Sequence, residues 1–105
     1  MTAFAAAIDV LFADPNVARD AVWRAGGSAE GIAIRLIRKA PDQTVGFGES
    51  RAILPTALID VRRSEVASPA IGDTLDIEDE TFEIIASPMI DGLGLVWTCE
   101  AAAKP

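Results

Sequence analysis

The stretch TLDIEDETFEIIA, residues 74–86, sets the architecture of this chain. Leu75 and Ile77 alternate with Asp76 and Glu78, the two-residue period of a strand with one face on a core. Asp79-Glu80 then interrupts the pattern, and Thr81 to Ala86 resumes it. So short a charged link between two apolar runs is a tight hairpin, which makes the pair antiparallel.

Working outward, the same grammar repeats. Downstream, Ser87-Pro88 and Asp91-Gly92 break the chain, and the strand Leu93 to Glu100 puts Leu93, Leu95, Trp97 and Cys99 on one face. Upstream, Ser64 to Asp73 is a connection with Pro69 and Gly72-Asp73 as turn residues. Before it, Ile53 to Arg63 reads as a strand with Ile59 and Val61 facing one way and Asp60 and Arg62 the other; Pro55 keeps its start at an edge or bulge. GIAIRLIR, residues 31–38, alternates with Ile32, Ile34 and Leu36 on one face. Ala21 to Ala25 carries Val22 and Trp23 and ends in the turn Gly26-Gly27-Ser28. The expectation is a mainly β fold, a small antiparallel β-barrel or sandwich of six or so short strands.

Two segments stand outside that pattern. Phe4, Ile8, Leu11 and Phe12 recur at helical spacing among alanines, and Asp14-Pro15 stops the run. This predicts a short N-terminal α-helix, too short to persist without docking on something. Residues 40–52, APDQTVGFGESRA, have no sustained period and predict a long mobile loop. The whole reads as a single domain, residues 1–105, with the helical segment at 1–14, the β-barrel or sandwich at 17–100 and a frayed tail at 101–105.

Composition narrows the function. The 105 residues are half hydrophobic, enough for one core, and no stretch reaches the roughly 18 apolar residues of a membrane span. The apolar start, Ala3 to Ile8, has no basic residue before it and is a poor secretion signal. Histidine and tyrosine are absent, which removes histidine triads, histidine metal sites and histidine general bases. The single cysteine, Cys99, forms no internal disulfide. The net charge of −7 lies wholly beyond Ala70, where eight acidic residues face Lys104 alone. Such a chain is a poor ligand for nucleic acid or for anionic membranes.

The apparent chemical motifs do not hold up. The acidic run Asp76, Glu78, Asp79, Glu80 and Glu83 lacks the glycine-centred twelve-residue loop of a calcium site and reads as a solvated hairpin. Asp73-Thr74 is followed by Leu75 where an aspartic-protease site needs glycine, so Asp73 is a turn residue. Gly46-Phe47-Gly48 follows no strong strand, opens no helix and lacks a lysine, so it is no phosphate loop. Cys99, Trp23 and Trp97 read as core. No catalytic, cofactor or metal residues emerge. What remains are interaction candidates: Phe47 and Arg51 in the loop, and the N-terminal helix with Phe4 and Ile8.

Val61-Arg62-Arg63-Ser64-Glu65-Val66, then Ile71-Gly72-Asp73-Thr74-Leu75 with Ile77, then Phe82, Asp91-Gly92 and Leu95-Val96-Trp97 form an ordered set. Their order and spacing resemble the lambda-type head–tail joining proteins of tailed bacteriophages. That resemblance implies a structural, non-enzymatic virion protein at the head–tail junction, made in the host cytoplasm. It implies a ring, a hexamer, between the capsid connector and a tail protein, closing the DNA-filled head and offering the tail-attachment surface. DNA would pass through the lumen without specific binding, with no membrane and no cofactor involved. Arg62 and Arg63 join Phe4, Ile8, Phe47 and Arg51 as interface candidates, and a ring needs two different patches per subunit. The neutral arginine-bearing part and the acidic last third are the expected pair. The alternative is a soluble β-barrel binding a ligand or peptide in a concave apolar pocket. A glycosidase using carboxylates alone needs a cleft that so short a chain has little room to build.

Overall fold

The structure is a computed structural model, which describes residues 3–39 and 56–104. The expected loop at 40–52, with Phe47 and Arg51, lies outside the described residues. Among the described residues, a helix α1 (Ala3–Ala13) is followed by seven strands: β1 (Arg19–Arg24), β2 (Ile32–Lys39), β3 (Thr56–Arg62), β4 (Thr74–Ile77), β5 (Glu80–Ile84), β6 (Met89–Ile90) and β7 (Val96–Ala103). The sheet runs β3-β2-β1-β4-β5-β7, and β7 pairs back onto β3, closing a six-stranded antiparallel barrel. The choice between barrel and sandwich is thereby decided.

Alternation fills the interior. Trp23, Ile34, Leu36, Ile59, Val61, Leu75, Ile77, Phe82, Ile84 and Cys99 point inward, and six of them have no more than trace exposure: Leu36, Ile59, Val61, Leu75, Ile84 and Cys99. Burial of this size is the main favourable term for so small a domain. The hairpin expected at 79–80 is present one residue earlier. Ile77 pairs with Glu80, so Glu78 and Asp79 form the turn, with Glu78 at φ 54° in the left-handed region. Asp73 is the turn residue expected of it. Its carboxylate accepts the Gly26 amide at 2.8 Å and the Ala70 amide at 2.9 Å, tying the β1–β2 turn to the start of β4.

Four expectations need correction. The tail is not frayed from Ala101: β7 continues to Ala103, and Ala101 is fully buried, because pairing with both β3 and β5 holds it. Leu93 and Leu95 are not strand residues, since Asp91 accepts the Leu95 amide at 2.8 Å and folds 91–95 into a turn. The short strand β6 between the two breaks was missed, and it pairs with Trp97 and Thr98 on the edge of β7 that β5 uses further along. Finally, the four apolar residues of α1 do not share one buried face. Phe12 is buried and Ile8 half-buried, whereas Phe4 is 62% and Leu11 46% exposed. Only the last turn of the helix meets the barrel closely, so only its aromatic is enclosed.

Candidate functional site

The alanines of α1 favour helix, and Asp14-Pro15 ends it. The Asp14 carbonyl then takes the amides of Val17 and Ala18, and its side chain takes that of Asn16, so the chain turns sharply into β1. Two arginines on outward positions of the barrel hold this corner. Arg35 of β2 donates from Nε to the Phe12 carbonyl at 2.8 Å and forms an ion pair with Asp20 at 2.9 Å. Arg62, the last residue of β3, reaches Asp9 of α1 and Glu65, each at 3.0 Å, with its guanidinium 5.0 Å from the centre of the Phe12 ring.

Glu65 has a second task. The β2–β3 ladder ends at Leu36 opposite Val61, which leaves the next amide along β2, that of Arg35, without a partner in β3. The Glu65 carboxylate accepts it at 3.0 Å. One carboxylate thus satisfies a backbone donor and an arginine together, which an ordinary surface pair does not do.

Between helix and barrel lies a cleft of about 350 Å³. Ala5, Ile8 and Asp9 form one wall, Arg62, Arg63 and Ser64 the floor, and Gly94 and Leu95 of the β6–β7 turn the far wall. The cleft brings together three of the expected interface residues: Ile8, Arg62 and Arg63. Phe4 is exposed on the helix beyond it, and Phe47 and Arg51 lie outside the described residues. The two arginines differ in kind. Arg62 is an internal fastener, its side chain 17% exposed and engaged on three sides. Arg63 is exposed, and among the described residues its guanidinium donates to the Gly94 carbonyl alone, at 3.5 Å.

Sequence reasoning missed Arg35 and Glu65. The signal for Arg35 was its outward place in an apolar strand, but nothing local said that α1 would return over it. The arginine-bearing part and the acidic last third, expected as two separate patches, meet in part within the molecule. Arg19, Arg24 and Arg38 pair with Glu78, Asp76 and Glu80, because the acidic β4–β5 hairpin lies beside β1 in the sheet. The acidic run is neutralised in part by the molecule's own cations.

Among the described residues, two titratable groups are displaced from their ordinary range. The Leu95 amide, helped by those of Val96, Gly94 and Leu93, holds the Asp91 carboxyl below its usual value against the opposing effect of desolvation. Burial, with the negative charges of Asp60 and Asp73, pushes the Cys99 thiol up to about 12. A thiol in that state is neither nucleophile nor metal ligand at neutral pH. The barrel interior is filled by side chains, so the concave apolar pocket of a ligand-binding barrel is not what these strands enclose.

The arrangement is one for contact: a helix fastened at one end, an apolar cleft beside it and a cation at the rim. No curated protein matches the chain. The model of the phage head-tail attachment protein family matches residues 1–101, and the chain belongs to that family.

Proposed function

We propose that the chain is a component of the head–tail joint that acts as a hexameric ring. The ring sits on the capsid connector, closes the DNA-filled head and presents the surface that a tail protein engages. The observation that carries this reading is the state of α1. Its Phe4, Val10 and Leu11 are 62%, 69% and 46% exposed, a density of apolar surface that fits a subunit shaped for a partner. The cleft below the helix adds Ile8 and Leu95 to the same region.

Phe4, Ile8 and Arg63 are the contacts we assign to assembly, with Phe47 and Arg51 of the 40–52 segment as further contacts. Arg62 supports the surface from below. The net charge of −7 suits a channel that DNA slides through, since an acidic wall does not condense onto phosphates. The role is mechanical, with no turnover and no membrane, in the virion after synthesis in the host cytoplasm.

The test is electron microscopy of particles from the parent phage with this gene deleted. Packaged heads and complete, detached tails are expected to accumulate, and added purified protein to join them. Intact tailed particles formed without the protein would end this reading.

A further inference from the structure

Among the described residues, six cations have a carboxylate within ion-pair distance: Arg19, Arg24, Arg35, Arg38, Lys39 and Arg62. Arg63 does not, although it stands at the rim of an apolar cleft, against the Gly94 carbonyl. Lys104 is likewise without a carboxylate partner among the described residues, but it lies past the end of β7 and lines no part of this cleft.

The complementary surface is on the same molecule. Glu83 of β5 pairs in register with Ala102 of β7, so Glu100 follows two residues along on the neighbouring strand and the same outer face. Neither carboxylate has an ion-pair or hydrogen-bond partner among the described residues. Glu100 is flanked by apolar side chains on both sides, Leu58 of β3 and the 42% exposed Ile85, whose amide donates to the Glu100 carbonyl at 3.0 Å. Glu83 and Glu100 are diagonal neighbours on that face, and carboxylates left without a partner there offer a place for a cation brought from outside.

The cleft and this wall lie at separate points along one ladder. Arg62 opposite Val96 ends the β3–β7 pairing beside the cleft, and Leu58 opposite Glu100 lies four residue pairs away, about 13 Å along the strands. Two distinct, complementary surfaces on one chain make a heterologous contact, the kind that generates rings. We propose that Arg63 of one copy pairs with Glu100 on the barrel wall of the next, with Ile85 set against the apolar lining of the cleft. This rests on the proposed ring and assigns its subunit contact; an arginine against a carboxylate fixes the register of such a contact.

The test is a charge swap in the full-length protein, read as tailed particles by electron microscopy, with circular dichroism to show that each variant folds. Arg63→Glu and Glu100→Arg are each expected to lose head–tail joining, and the two together to restore it. As a second arm, Arg63→Cys with Glu100→Cys is expected to give a disulfide-linked ladder of copies in oxidised particles. Each single variant is expected to give none, since Cys99 is fully buried. Single reversals that join normally, or a folded double variant that neither joins nor yields a ladder, overturn the contact and leave the ring intact. Wild-type junctions that hold a single copy by mass overturn the ring itself, and the contact with it.

Discussion

Arg62 holds α1 to the barrel with a guanidinium that solvent reaches poorly, although Asp9 across from it is half exposed. Two carboxylates and the face of Phe12 share its guanidinium, while its Nε is buried without a partner, a cost that the other contacts must offset. Arg62→Ala removes both ion pairs and leaves the part-buried Glu65 with the Arg35 amide alone. It should cost about 2 kcal/mol, between the value of an exposed pair and that of a buried one. Arg63→Ala, one residue on, should change stability by less than about 0.5 kcal/mol, as exposed surface substitutions do. Urea midpoints of the two variants check this, and equal losses would refute the division of labour between them. The sequence pattern places Arg62 outward from the barrel, correctly. It says nothing of what lies over that outward face, because Asp9 is 53 residues away and no local period connects them.

At the scale of elements, the β6–β7 turn depends on one carboxylate. Asp91 accepts the Leu95 amide, and its folded-state value lies below the ordinary 3.8. A carboxyl depressed on folding contributes stability that is present above the unfolded value and is lost as pH falls through the folded one. The stability gap between wild type and Asp91→Asn should therefore be widest near neutrality and narrow in acid, below about pH 4. Denaturant titrations at several pH values measure it, and a gap independent of pH would remove the carboxylate from the account. This turn shows where pattern reading stops. Alternation over Leu93 and Leu95 imitates a strand, yet the side chain of Asp91 captures the backbone amides and the ladder begins only at Val96. β2, β3, β4 and β5 were legible because a half-buried strand is what turns alternate side chains toward a core. α1 was legible as a helix but not in its orientation, since burial of Phe12 alone decides which face turns inward. The cleft was legible only as separate residues, because it is made where three distant segments meet.

For the molecule as a whole, closure of the barrel has a chemical reporter. Cys99 has no exposed surface, and burial keeps its thiol protonated with a value of about 12. Maleimide at about pH 8 should label the native protein no faster than it unfolds, and denatured protein at the rate of a free thiol. Fast labelling of the native protein would mean that the barrel opens at β7. That strand pairs with β3, β5 and β6, and among the described residues it is the link that closes β5 onto β3. The consequence reaches back to synthesis. While residues 96–103 are still inside the ribosome, β3 and β5 each present an open strand edge that any other extended chain can extend. A nascent chain of this protein stays adhesive until residues 96–103 have left the ribosome, and becomes inert to its neighbours only once β7 has docked.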